Sequence, residues 1–217
     1  MKKVSIIIPT KNEPYIQKLV ERIHRTIPKL NKEIIIVDKS DITPNVKEAK
    51  LIKQKSDGLG RAVLEGLKFA KGDVIVVMDG DGSHRPEDLI KLIEKTGEYD
   101  IVIGSKYVEG GITKDKPYRV LISRIYCFLV SVILGIKVKD NISGFSAVKK
   151  EVYEKIKLNP VGFKINTEIL YKAKKFGFRA TEVPIVFEQR KLGKSKGSLK
   201  EGLRTLKFIL ELKFGLR

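Results

Sequence analysis

Four stretches of this chain are almost unbroken runs of Val and Ile: residues 4–8 (VSIII), 33–38 (EIIIVD), 74–79 (VIVVMD) and 100–105 (DIVIGS). A strand with one wet face alternates apolar and polar residues, so a strand that is apolar throughout has both faces covered. Helical spacing fills the intervals. Residues 15–26 carry it, and so do residues 60–70, with Ala62, Val63, Gly66, Leu67 and Ala70 on one face. A helix over 86–95 begins with Pro86 in its first turn, where a missing N–H costs little. A short helix is expected near 45–50, leading to a brief strand at 51–53. Strands and helices in this order predict an α/β domain, a three-layer α/β/α sandwich around a mainly parallel sheet.

The second half is less regular. A polar loop (YVEGGITKDKPYR) precedes an apolar helix over 119–136, and DNISGFSAVKK reads as a loop entering a strand. Residues 165–176 read as a helix, RATEVPIVFEQR alternates like a strand, and residues 198–214 form an amphipathic basic helix. No repeat, linker or low-complexity stretch divides the 217 residues, so 1–217 is read as a single domain.

The net charge of +18 attracts nucleic acid, anionic membrane surfaces or phosphorylated small molecules. No helix-turn-helix, zinc or RNA-binding motif is present and few aromatics lie among the lysines, which argues against nucleic acid. The single cysteine, Cys127, cannot form an internal disulfide, and the first residues lack signal-peptide architecture; both point to a cytoplasmic compartment. The apolar run after Arg124 is interrupted by Ser131 and Gly135. Its intermediate length predicts a helix that is buried on the sheet or lies in a membrane interface, rather than one that spans.

One strand ends in DGDGSH. In an open parallel sheet, ligands bind at the carboxyl ends of the strands. Asp79 closes the strand and Asp81 lies two residues on, so an extended backbone points both side chains the same way. Gly80 lets the backbone approach whatever sits there. Two carboxylates with open positions around them make a hard-oxygen site for Mg²⁺ or Mn²⁺, completed by phosphate oxygens and water. Strand-terminal Asp residues also form Asx turns and helix caps, and D-x-D alone is too short to choose.

The order of the neighbouring motifs does choose. The chain reads IIIPTKNE, IIIVDKS, SDGLGRAVLEGLKFAKGD, VVMDGDGSHRPEDL, GSKYVEGG, SGFSAV and VPIVFEQRKLGKSK, from Val4 to Lys196. This series resembles the family-2 glycosyltransferases of the GT-A (Rossmann-like) fold, most closely the branch that makes dolichyl- and polyprenyl-phosphate mannose. The resemblance implies that Pro9 and Glu13, in the P-x-x-N-E turn that also carries Lys11, hold the nucleoside. It implies a backbone contact from Val37 to the base, beside Asp38. Asp79, Gly80 and Asp81 match the metal and diphosphate motif, with Ser83 as a further metal ligand. Lys106 would lie against the diphosphate-sugar, and Arg190 and Lys196, spaced R-x-x-G-x-S-K, would grip phosphate. Asp81, Arg190 and Lys196 are the residues expected to carry catalysis. The chain departs from the family at four places: Lys39 stands for a second acid, Lys11 for Tyr, Lys106 for Arg and Ser146 for Arg. The metal and phosphate machinery is kept, and the base-reading edge is altered.

The implied reaction is inverting, metal-dependent transfer of a hexose from a nucleotide-sugar to dolichyl or polyprenyl phosphate, with mannose and GDP-mannose the first expectation. Such an acceptor is already anionic near neutral pH and needs no general base. His24 reads as a surface or packing residue, and His84 as either a loop-positioning or a site residue. The alternatives are a UDP-sugar-dependent family-2 enzyme acting on polyprenyl phosphate or a polysaccharide, and a non-catalytic nucleotide-sugar-binding relative. A lipid acceptor implies peripheral association with the cytoplasmic face of a membrane, through residues 119–136 and 198–214, with room for a membrane-anchoring partner protein.

Overall fold

The computed structural model describes residues 3–188 and 199–216. The Val/Ile runs lie side by side in it. β1 (Val4–Thr10) pairs in parallel with β2 (Lys32–Asp38) on one side and β4 (Val74–Val77) on the other, and β3 (Lys50–Lys53) extends the sheet beyond β2. Their side chains alternate between two apolar layers. Ile6, Ile8, Ile34 and Ile36 pack with Ile16, Leu19, Val20 and Ile23 of α1 (Ile16–Thr26), whereas Ile7, Ile35 and Val37 pack with Ala62 of α2 (Leu59–Leu67). Apolar residues at every strand position are therefore what two covering layers require. Gly66 marks how close the second layer sits: a Cβ there would come within 2.7 Å of Ile7.

The rest of the sheet is β5 (Ile101–Ser105), β7 (Ser146–Lys149) and β8 (Ala180–Pro184), in the order β3-β2-β1-β4-β7-β5-β8. β7 is the exception to parallel pairing, running antiparallel between β4 and β5. A separate two-stranded piece joins β6 (Ile112–Thr113) to β9 (Val186–Phe187). A 3₁₀ turn at Pro86–Asp88 leads into α3 (Leu89–Lys95), and the remaining helices are α4 (Pro117–Leu134), α5 (Lys150–Lys155), α6 (Ile165–Lys175) and α7 (Leu199–Lys213).

Two expectations are corrected. No helix forms near 45–50. Glu48 takes a positive φ of 58°, its carbonyl meets His24 Nε2 at 3.1 Å, and the Lys47 N–H is claimed by Gln17, so side chains of α1 hold this segment as a loop. RATEVPIVFEQR is not one strand. It leaves the sheet edge at Ile185, whose N–H donates to Ser105 and whose carbonyl accepts from Ile112, and it re-forms as β9 in the small sheet.

α4 lies between the two alternatives read from its sequence. Cys127, Val130 and Leu134 are buried, the last two beside Phe208, Ile209 and Leu212 of α7. Tyr118, Leu121, Ile122, Ile125, Phe128, Leu129 and Val132 form an exposed stripe along the other side. By length and composition α4 is the one helix among the described residues that could cross a membrane. Gly135, at φ 63°, ends it in the left-handed conformation that glycine adopts freely.

Candidate active site at the carboxyl ends of the strands

β4 delivers the paired carboxylates. Beyond Val77 the backbone stays on the sheet for one more residue, with the Met78 N–H donating to Ile7, and then turns through Asp79–Ser83. Ser83 is fully buried, and its N–H and hydroxyl both donate to Asp81 Oδ1, at 3.0 and 2.5 Å. Its hydroxyl orients Asp81 from behind. The Asp79 carboxylate rests on the backbone entering β7, where a Cβ on Gly144 would lie 3.1 Å from both of its oxygens. Gly80 packs closely on β1, where a Cβ would meet Thr10 at 2.7 Å. Gly82, at φ 76° with open space around it, supplies the turn.

His84 fixes the base of this loop. Its Nδ1 accepts the Asp79 N–H at 3.0 Å, which assigns the proton of the neutral ring to Nε2. The ring stacks on Phe145 at 4.9 Å and meets Phe187 edge-on at 5.5 Å. Burial pushes the imidazole below its ordinary pKa. The nearby Asp79 and Asp81 pull it back up, but burial prevails. A neutral ring locked by three neighbours is a positioning group.

At the ends of β1 and β2, Pro9 pairs with Val37 and Thr10 with Asp38, so the two strand ends are level. Asp38 is buried and spent on the fold. It accepts the Thr10 hydroxyl at 2.8 Å and the Ser40 hydroxyl at 2.6 Å on one oxygen, and the Ser40 N–H at 3.1 Å on the other. Val37 is fully buried as well, paired with Pro9 of β1 and Ile52 of β3. Lys11 is exposed and Glu13 half-buried in the turn after β1. Lys39 bridges to the next loop, with its ammonium 3.3 Å from the Ser56 carbonyl and 3.2 Å from the exposed Asp57 carboxylate. Asn12, at φ 56°, and Asp41 exchange two hydrogen bonds that join the loops after β1 and β2.

On the other side, Lys106 ends β5 and turns inward. Its ammonium lies 3.1 and 2.9 Å from the two oxygens of Asp140, which is fully buried. Burial works against the charge on Lys106, but the Asp140 carboxylate outweighs it and raises the pKa, so the lysine stays protonated. Asp140, 34 residues away in sequence, gave no signal as a partner. Asn166 gave none either: its amide donates to Ser143 and its carbonyl oxygen accepts the buried Ser146 hydroxyl. Ser146 thus faces the interior. Arg190 and Lys196 lie outside the described residues. The chain before Arg190 is tied to the Asp79–Ser83 loop, because the Glu188 N–H donates to the Ser83 carbonyl at 2.9 Å and Asp88 accepts the Val186 N–H at 3.0 Å.

No cluster of three or more metal-ligating His, Cys, Asp or Glu occurs among the described residues. Asp79 and Asp81 supply a pair of hard oxygens instead. That donor set suits Mg²⁺ or Mn²⁺ shared with phosphate oxygens and water, and suits a soft-metal cage poorly.

A parallel sheet interrupted by one reversed strand, with a D-x-D turn at the strand beside the interruption, defines the GT-A class of glycosyltransferase fold. Solved structures agree. Glucosyl-3-phosphoglycerate synthase of Mycobacterium tuberculosis, in complex with Mn²⁺, UDP and glucosyl-3-phosphoglycerate, superimposes with a TM-score of 0.71 at 20% identity, covering 99% of this chain and 80% of that one. Mannosyl-3-phosphoglycerate synthase of Rubrobacter xylanophilus gives 0.71 at 17% identity, covering 98% and 73%. The chain belongs to glycosyl transferase family 2, whose model matches residues 5–157. It is 42% identical to a dolichol-phosphate mannosyltransferase of Pyrococcus furiosus, over 97% of this chain and 63% of the relative, and so spans less than two thirds of that protein's length. It is 34% identical to a polyprenol monophosphomannose synthase of Mycolicibacterium smegmatis, over 89% of this chain and 80% of the relative. With an undecaprenyl-phosphate mannosyltransferase of Micrococcus luteus it shares 32% identity, over 90% and 88%.

Proposed function

We propose that this protein transfers a hexose, mannose first, from a nucleotide-sugar to a polyprenyl or dolichyl phosphate at a membrane surface, with inversion. The observation that carries the reading is the Asp79–Asp81 turn, held by Ser83 and His84 at the carboxyl end of β4 in a chain whose relatives are named for this reaction. Asp79 and Asp81 would hold Mg²⁺ or Mn²⁺, which when bound neutralises a departing nucleoside diphosphate. The turns after β1 and β2, with Pro9, Lys11, Glu13 and the Val37 backbone, would seat the nucleoside. Lys106 keeps a buried positive charge beside the reaction centre, and Arg190 and Lys196 would bring in the acceptor phosphate. That phosphate is its own anionic nucleophile, which accords with a His84 ring too enclosed to serve as a base.

The membrane side of the reading rests on the exposed apolar stripe of α4, on Leu206 and Leu210 of α7 and on Phe214 just beyond it, interleaved with Lys207 and Lys213. Lys39 places a cation where the base would be read, so the donor's base is the variable to test. Purified protein is incubated with polyprenyl phosphate, Mn²⁺ and labelled GDP-mannose or UDP-glucose, and label is counted in the lipid phase. Transfer from GDP-mannose that stops on chelation and returns with Mn²⁺ is expected. Transfer from UDP-glucose alone overturns the donor assignment, and donor binding without transfer to any lipid points to a non-catalytic relative.

A further inference from the structure

A second feature adjoins the end of β5. A cleft of about 410 Å³ opens on one flank of α4, lined by Tyr107, Arg124, Cys127, Phe128, Ser131, Ile136, Lys137 and Lys139. Three cations line it and no carboxylate does. Two acids of adjoining segments are already committed: Asp140 to Lys106, and Glu182 to the backbone N–H groups of Lys139 and Asp140, at 2.7 and 2.9 Å. Arg124 is held in place with its guanidinium 5.1 Å from the centre of the Tyr107 ring. Lys137 and Lys139 are exposed and have no ion-pair partner among the described residues. The floor is apolar, from the buried Cys127 and Ile136.

The position of the cleft names its occupant. Arg124, Cys127, Phe128 and Ser131 are spaced i, i+3, i+4 and i+7, on the flank adjoining the exposed stripe of α4, and Phe128 belongs to both. None of Asp38, Asp79, Asp81, Ser83 or His84 lines it, and the buried Lys106–Asp140 pair lies on its inner side, next to Tyr107 and Cys127. If α4 lay along a bilayer with its apolar stripe immersed, the cations of the cleft would sit at headgroup depth. We propose that this cleft is a docking site for the phosphate headgroup of an anionic bilayer phospholipid, distinct from the acceptor. It would fix how the protein sits on the membrane. The proposal rests on the peripheral membrane reading above.

The test is co-sedimentation of the full chain with phosphatidylcholine vesicles, with and without phosphatidylglycerol. The double variant Lys137→Gln/Lys139→Gln is compared with Lys47→Gln/Lys53→Gln, which removes the same charge at the opposite edge of the sheet. Each lysine near an anionic surface contributes about 1 kcal/mol, so the cleft variant should bind anionic vesicles about thirtyfold more weakly while the control changes little. Both variants should unfold at the wild-type temperature. The cleft variant should also keep its turnover on detergent-solubilised acceptor within about twofold, since anchoring is then bypassed. Equal weakening of both variants, or none in the cleft variant, overturns the site while the membrane reading stands. Failure of the wild type to bind either vesicle removes both. Saturable binding of inorganic phosphate that the cleft variant loses, with vesicle binding unchanged, makes the cleft a site for free phosphate and overturns the lipid assignment.

Discussion

Asp79 and Asp81 are separated by one residue, yet the fold treats them differently. Asp81 is tethered by Ser83 and Asp79 rests on the backbone of Gly144. Asp81→Asn removes a charge while keeping the shape and an acceptor for Ser83. Turnover should fall by at least about a hundredfold, as expected for a lost charge at a preorganised site, with the melting temperature little changed. Steady-state transfer and thermal denaturation check the two halves of that statement. His84→Phe keeps the stack on Phe145 and the edge contact with Phe187 but leaves the Asp79 N–H unpaired. An unsatisfied buried donor costs about 1–3 kcal/mol, visible in urea denaturation, and the loosened loop should raise the Mn²⁺ concentration that half-saturates activity. His84→Asn, whose carbonyl can accept in place of Nδ1, should recover part of that loss. At this scale the sequence named candidate residues but not the hydrogen bonds that hold them. Asp38 looked like a nucleoside contact, and its buried carboxylate already accepts three hydrogen bonds.

Elements whose pattern is set by both covering layers were legible in advance. β1, β2, β4 and β5 fall where the Val/Ile runs predict, within a residue or two, because burial on both faces leaves no polar alternative. The pieces that long-range contacts define were not legible. β6 and β9 are two residues each and exist only because they pair with one another, and the turn at 45–50 is held by side chains of α1. At the opposite ends of the strands, Asp100 joins three of them. Its carboxylate accepts the Lys149 ammonium at 2.7 Å, at the end of β7, and the Arg179 N–H at 2.8 Å, ahead of β8. Burial raises its pKa, but the Lys149 hydrogen bond and the Arg179 N–H prevail and hold it below the ordinary carboxylate range. The folded state therefore gains stability from this group above the unfolded pKa of about 3.9 and loses it as pH falls through the depressed folded value. Melting temperature should drop below about pH 4 in the wild type, and less steeply in Asp100→Asn. The stripe on α4 makes a separate prediction. Phe128 is 66% exposed, so Phe128→Ser should leave the fold intact and weaken vesicle binding about tenfold or more, given about 1.5–3 kcal/mol for burying such a side chain.

Across the whole molecule the sheet divides the labour. On the proposed reading, strands β3, β2, β1 and β4 would present loops to the nucleotide and β7, β5 and β8 would present Lys106 to the acceptor side, with the carboxylate pair at the seam. With no cluster of three metal-ligating groups among the described residues, chelation should abolish transfer while shifting the melting temperature of the nucleotide-free protein by little, as paired activity and calorimetry would show. The reversed strand at that seam also dictates when the protein can become itself during synthesis. β4 is complete at Val77 and β5 at Ser105, but the strand that fills the gap between them arrives only with Ser146–Lys149. Until it emerges from the ribosome, two apolar strands keep open edges facing each other across a vacant slot, the condition in which chains pair with the wrong neighbour. Nascent chains halted before Ser146–Lys149 has left the ribosomal tunnel should therefore depend on chaperones more than chains halted after it has emerged.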